Sequence, residues 1–325
     1  MVGLFLVRKC FFIKDFTGVE VNITFNRNLS VVGRGGMFVE KRIEVFSIDG
    51  ISIEYSMIGE GEPIFVMHGG HSNCHEEFGY KELLKSGFSI ITPSRAGYGG
   101  TSKEIGKNLG LACEYYLKLL KHLKVKKVHI LAISAGGPSG IYFASRYPEI
   151  VRTLTLQSAV TKRWLVPEDT EYKAARILFH PRVEKYTWKL ISTMSNLFPG
   201  FIFKQMLPSF SKLTYRDAKE KIDKGDVDAI RKMNNRQRSG YGFFIDLEQV
   251  NELTVEDVKS VRCPTLIMHS KHDGSVPLEH PYYAHENIAV SELCLLEDTW
   301  GHLIWLGKYS EEIDKNLVEF LTAYN

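Results

Sequence analysis

Ser134 sits in the stretch HILAISAGGPSG, residues 129–140, where an apolar run gives way to one serine among small residues. A serine at the tip of a strand-to-helix turn must adopt a strained backbone conformation, and side chains two positions before and after it would collide. Those positions are Ala132 and Gly136. VHIL supplies the strand, AISAG the turn and GPSGIYFASRY the helix. Ser134 Oγ is thereby expected at the C-terminal end of a sheet, beside the free N–H groups of a helix start. A hydroxyl so placed suits nucleophilic attack, because a nearby base can take its proton. The histidines do not point to metal chemistry, since His71, His75, His269 and His272 form no spaced set on one helix.

The elements that must position this serine follow a regular rhythm from about residue 41. KRIEVFSIDGISIEYSM has two alternating runs around Asp-Gly, a strong hairpin signal. PIFVMHGG, FSIIT, VHILAI and VRTLTLQS are short, apolar and rich in branched residues, as strands buried on both faces are. Between them lie helix-length segments such as SKEIGKNLGLACEYYLKLLKHL and GPSGIYFASRYPEI. Alternating strand and helix predict an α/β fold with a mostly parallel central sheet and helices on both faces. At about residue 161 the rhythm stops, and roughly a hundred helical, aromatic-rich residues follow. It resumes at CPTLIMHS and continues through LEHPYYAHENI, SELCLLE and SEEIDKNLVEFLTAYN. The predicted organisation is an N-terminal extension over 1–40, core over 41–160, an inserted helical cap over 161–262 and core again over 263–325. Within the cap, FPGFIFKQMLPSF is read as buried packing or the wall of an apolar pocket, in preference to a membrane-surface segment.

Four motifs in order resemble those of the α/β-hydrolase superfamily, from about residue 41 to the C-terminus. MHGG resembles its oxyanion loop, PSRAGYGGTS the loop after the next strand, AISAGG the nucleophile elbow, and HSKHDGSVP with TWGHLIWLG the acid and histidine loops. Two departures are visible: Ala132 replaces the first glycine of G-x-S-x-G, and Ser94 stands where aspartate is commoner. The resemblance implies Ser134 as nucleophile, His302 as base and Asp273 as acid, with oxyanion donors from the backbone of Gly70 and Ala135. Position supports these roles. His302 follows the last apolar run behind Gly301, and Asp273 follows TLIMHS, with Asp246, Glu297 and Asp298 as weaker candidates and a plain turn-shaping role as its alternative. His68 is expected to hold the oxyanion loop rather than act as a base. The implied activity is a carboxylesterase-like serine hydrolase acting on a small-molecule acyl substrate with an apolar portion, without a cofactor. A proline-iminopeptidase-like enzyme and a non-catalytic ligand-binding homologue are the alternatives. Epoxide-hydrolase and haloalkane-dehalogenase relatives carry aspartate where Ser134 stands.

Composition narrows the remaining classes. With 325 residues, 44% hydrophobic and 24% charged, the chain is that of an ordinary globular protein. The net charge of +3 and the absence of a basic stripe give no nucleic-acid footprint, and KHLKVKK reads as a solvated helix end. Cys10, Cys74, Cys113, Cys263 and Cys294 form no CxxC pair, so neither a disulfide framework nor a zinc site is indicated, and a reducing cytoplasm fits. No run is long enough to span a membrane, and the N-terminal charges follow a short apolar stretch, the reverse of an export signal. VVGRGGM reads like a translated ribosome-binding sequence ahead of a start at Met37, with a short strand hairpin or mobile arm as the alternative. Monomer or homodimer is the expected state.

Overall fold

The computed structural model describes residues 40–325 throughout and, before them, the backbone of residues 10–14, 20–24 and 26–28. The suggested start at Met37 lies outside the described residues. Near the N-terminus β1 (Cys10–Lys14) and β2 (Glu20–Thr24) pair antiparallel, and β3 (Asn26–Asn28) adds to one edge of the main sheet. The Asp-Gly signal produces the hairpin of β4 (Lys41–Ile48) and β5 (Ile51–Ile58). Asp49 and Gly50 have φ of +53° and +74°, the pair of left-handed residues that a two-residue turn needs to match strand twist.

The continuous apolar runs form β6 (Glu62–Met67), β7 (Phe88–Pro93), β8 (Val128–Ile133), β9 (Val151–Gln157), β10 (Thr265–Ser270) and β11 (Ser291–Leu296). Among the described residues the main sheet has the order β11-β10-β9-β8-β6-β7-β5-β4-β3. Every pairing from β7 through β6 to β11 is parallel, and the β5–β7 pairing is antiparallel. The chain runs outward from β6 to β7 and then returns past β6 to β8. That reversal opens a crevice at the carboxyl ends of β6 and β8, where open α/β sheets bind ligands.

Alternation along the strands divides the core into two layers. Phe65, Met67, Ile130 and Ala132 pack with Leu109, Ala112, Tyr116 and Leu119 of the helix Leu109–His122. Ile64, Val66, Leu131 and Ile133 pack on the other face with Leu83 and with Ile313, Leu317 and Leu321 of the helix Ser310–Ala323. The stretch 102–122 is not one helix. A 3₁₀ turn, Lys103–Lys107, stops at Asn108, which is extended and accepts a 2.7 Å hydrogen bond from the Leu111 N–H. Its short amide satisfies a donor that a continuing helix would have paired otherwise.

Between β9 and β10 the described residues form helices without a further strand, and one isolated β-bridge, Ser211 to Asp273, is among their contacts with the rim of the core sheet. The last of these helices, Val255–Lys259, sends Val258 into the layer beneath Leu109–His122. The phenylalanine-rich segment divides three ways along the helix Pro199–Phe210. Phe203 and Leu207 are buried, Ile202, Met206 and Phe210 border a cavity, and Phe198 and Phe201 are 53% and 58% exposed. The expectation of burial or pocket lining therefore fails for Phe198 and Phe201, which the helical period turns toward solvent.

Candidate active site

Ser134 leaves β8 with φ of +50°, a left-handed conformation unusual outside glycine. A Cβ on Gly136 would lie 2.1 Å from the Met67 carbonyl oxygen, and one on Gly140 would lie 2.4 Å from the Ala132 Cβ. The small residues are thus fixed by the close approach of β6 on one side and by helix-on-strand packing on the other. Ala132 in place of glycine is accommodated because its methyl meets Gly140.

His302 and Asp273 both reach this turn. His302 Nε2 is 3.0 Å from Ser134 Oγ, and His302 Nδ1 is 2.8 Å from Asp273 Oδ2. Because the carboxylate can only accept, Nδ1 carries the proton and Nε2 is free to accept from the serine hydroxyl. The other carboxylate oxygen, Oδ1, accepts from the backbone N–H groups of Ser275 at 2.7 Å and Val276 at 2.8 Å. Burial pushes the Asp273 carboxyl up, but His302, His269 and the Val276 amide together bring it below its usual range. His269 stands 3.3 Å from Asp273 Oδ2 while its Nε2–H donates to the Val276 carbonyl at 3.0 Å, and burial keeps it from protonating.

The acid and histidine loops are joined by the end of the inserted helix Pro199–Phe210. The Phe210 carbonyl accepts from Gly274 N–H at 3.0 Å and from His302 N–H at 2.8 Å, and the Ser211 hydroxyl donates to the Trp300 carbonyl. A Cβ on Gly301 would come within 2.3 Å of that Phe210 oxygen, and one on Gly274 within 2.7 Å of the Ser211 nitrogen. Both glycines admit the neighbouring backbone. Ser158 completes the brace by donating its hydroxyl to the His302 carbonyl at 2.7 Å.

On the opposite side, Gly69, Gly70 and Ala135 border the same cavity as Ser134. The loop that holds Gly70 is fixed by a wholly buried network. His68 Nε2 accepts from the Arg95 N–H at 2.9 Å, so its proton sits on Nδ1 and is donated to the Gly69 carbonyl at 2.7 Å. Burial and the adjacent Arg95 keep this imidazole neutral. Arg95 Nε donates to the His68 carbonyl at 2.6 Å, and its two terminal nitrogens pair with both oxygens of Asp246. Tyr98 donates to Asp246 Oδ2 at 2.6 Å and accepts from the His71 N–H at 3.3 Å. Asp246 thereby neutralises the buried arginine behind the loop and has no bond to His302 among the described residues.

Of the other weaker candidates, Glu297 pairs with Lys271 and Asp298 lies 3.6 Å from Lys221, both at the surface. The Ser94 departure is compensated from β5. Glu54 accepts from Ser94 Oγ at 2.9 Å and Gly100 N–H at 3.0 Å; burial opposes its ionisation, but these bonds and His75 bring it down to about 2. Glu54, Cys74 and His75 bring ligand atoms within 4.8 Å of one another. Glu54 is already committed to the Ser94 loop, and burial pushes the Cys74 thiol up to about 12, so the trio serves as a loop brace. Cys74, Cys113, Cys263 and Cys294 are free thiols. Sequence reasoning did not find Arg95, Tyr98, Glu54 or the Phe210 carbonyl, and a pair such as Arg95 and Asp246, 151 positions apart, leaves no local signal.

Above Ser134 and His302 lies a cavity of about 940 Å³ walled by the inserted helices, with Phe179, Trp188, Ile202 and Phe243 on its sides. A serine hydroxyl, an imidazole whose Nε2 faces it and a buried carboxylate in series, opening into a largely apolar chamber, can move a proton off a nucleophile. No helix among the described residues is long and apolar enough to cross a membrane.

The chain belongs to the α/β-hydrolase fold family, whose model matches residues 62–309. It is 57% identical over 285 residues to the uncharacterized hydrolase YcgS of Bacillus subtilis, covering 88% of this chain and 100% of that one. It is 24% identical over 262 residues to a 2-hydroxy-6-oxo-6-(2'-aminophenyl)hexa-2,4-dienoic acid hydrolase of Metapseudomonas resinovorans, covering 78% of this chain and 80% of the relative. Among solved structures, an α/β-hydrolase fold protein from Nakamurella multipartita superposes with a TM-score of 0.74 at 22% identity, over 87% of this chain and 100% of that one. The fold and the relationship to hydrolases are thereby established.

Proposed function

We propose that this protein is a serine hydrolase that cleaves a carboxylic ester or related acyl compound through an acyl-enzyme on Ser134. The observation that carries the reading is the unbroken series of hydrogen bonds from Ser134 Oγ through His302 to Asp273 at the floor of the cavity. Ser134 Oγ attacks the acyl carbon as His302 Nε2 takes its proton, and Asp273 holds the imidazolium by its Nδ1–H. The backbone N–H groups of Gly70 and Ala135 receive the negative oxygen. The bond to the alcohol then breaks, and His302 Nε2 returns the proton to the departing oxygen. Water enters, gives its proton to His302 and attacks the acyl carbon, and the serine leaves with that proton as the acid is released. The helices of 161–262 act as a cap that sets the shape of the substrate, and the chain works as a monomer or homodimer in the cytoplasm without a cofactor.

Hydrolysis of short p-nitrophenyl esters by the purified chain tests this reading. Turnover by the wild type and its loss in Ser134→Ala are expected. Equal turnover by both proteins would contradict it.

A further inference from the structure

His71 and Ser72 follow the oxyanion loop directly and border the cavity, yet the proposed chemistry uses neither side chain. His71 has φ of +60°, an outlying backbone angle that its surroundings must hold in place. Its ring is packed against Phe243 with centroids 4.4 Å apart, against Phe179 at 4.2 Å and against Trp188 at 5.3 Å. His71 Nδ1 lies 2.7 Å from Ser239 Oγ, and Trp188 Nε1 donates to the same oxygen at 2.7 Å. Ser239 is wholly buried, and His71 Nδ1 is the acceptor within reach of its hydroxyl proton. The hydroxyl therefore donates to Nδ1, which leaves the imidazole proton on Nε2. Among the described residues Nε2 has no partner. Desolvation by the surrounding rings pushes this imidazole down to about 3, so the donor is uncharged at neutral pH. Ser72 is 4% exposed, and its hydroxyl also has no partner among the described residues. A buried, unpaired hydroxyl costs roughly 1–3 kcal/mol unless something satisfies it.

The charge of the chamber bears on what that something is. Among the described residues no lysine or arginine borders the cavity; Glu76 in its wall is paired with Arg236 behind it, and Glu171 stands unpaired by any arginine or lysine bond at its exposed side. A carboxylate moved from water into such a chamber would lose part of its hydration and meet no unpaired cation in the wall.

We infer that the cavity selects an uncharged substrate bearing a second acceptor oxygen, a carbonyl or hydroxyl, which is held by the Nε2–H of His71 and the hydroxyl of Ser72. This rests on the hydrolase reading for the word substrate, but the binding preference is measurable without turnover. It separates this chain from a relative such as the dienoic acid hydrolase, whose named compound carries a carboxyl group.

The test is tryptophan fluorescence, since Trp164, Trp188 and Trp305 all border the cavity. Wild type and Ser134→Ala are titrated at pH 8 with diones from 2,5-hexanedione to 2,8-nonanedione, and with the mono-ketones and keto acids of matching length. The best dione should bind about tenfold more tightly than its mono-ketone, the worth of one well-made hydrogen bond, and the keto acid should bind at least about tenfold more weakly than the mono-ketone. His71→Phe and Ser72→Ala should each reduce the dione-to-ketone ratio toward one. Keto acids that bind as tightly as diones would overturn the charge selection, and a ratio unchanged in both variants would overturn the role of the pair. Absence of ester turnover together with the expected binding would refute the hydrolase reading and leave this inference standing.

Discussion

The rim of the sheet and the helices inserted after β9 face each other across one cavity, but they are held together by different means. At the rim, buried polar groups are paired in depth: His68, Arg95, Tyr98 and Asp246 form one closed network, and Asp273 has accepted bonds at both oxygens. The helix Thr170–Leu178 has no buried residue, and large apolar side chains such as Ile177 and Phe201 are 71% and 58% exposed. Directional bonds in a dry site fix geometry to fractions of an ångström, whereas a helix that buries no side chain, such as Thr170–Leu178, is held loosely. On the proposed function, the rim would place the reacting atoms and the insertion would set the substrate's shape. Asp246, Phe210 and Ser211 are points where the insertion also takes part in placement.

The largest expected effect is on chemistry: Ser134→Ala should lower kcat by at least about 10⁴-fold while leaving the melting temperature close to that of the wild type. Next, Asp246→Ala would strand the buried Arg95 charge and should destabilise the protein by about 3–5 kcal/mol in urea unfolding. A loss under about 1 kcal/mol would show that the insertion does not anchor the loop that holds Gly70. Gly301→Ala would push against the Phe210 carbonyl, and a fall in kcat of about 100-fold with little change in KM is expected if that contact aligns His302.

Acid should act on the same network more gradually. His71 and His280 are held neutral, at about 3 and about 4, by burial, and His68 lies well below its usual value. The unfolded chain binds protons at these positions below about pH 6.5 and the folded one does not, so the stability these histidines contribute is full above that value and falls as pH drops toward the folded values. Asp226 and Asp314, pushed up by burial to about 6 and about 7, add stability over the same fall and offset part of the loss. The slope is up to about 1.4 kcal/mol per pH unit for each histidine, readable as melting temperature between pH 7 and 5. Smallest of all, Ile177→Ser and Phe201→Ser should change stability by no more than about 0.5 kcal/mol. A larger loss would mean that the outer surface of the insertion is covered by something that the fold does not itself supply.

What the sequence revealed follows the same division. The turn around Ser134 was legible because its constraint is local: small residues two positions either side, with a strand before and a helix after. The Asp-Gly hairpin and the buried parallel strands were legible for the same reason. The role of Asp246 was not, because its partner Arg95 is brought to it only by the folding of the insertion over the rim. Gly274 and Gly301 read locally as turn and loop residues, while their smallness is demanded by the backbone of Phe210 and Ser211. Ser94 signalled a departure without naming its remedy, because Glu54 comes from the adjacent strand.

Intact-mass analysis after reaction with a fluorophosphonate decides whether Ser134 is an activated nucleophile. One adduct per chain is expected, mapped by peptide digestion to Ser134, absent in Ser134→Ala and at low occupancy in His302→Ala. A folded wild-type protein that forms no adduct, or one that forms on a residue outside the cavity, would contradict it.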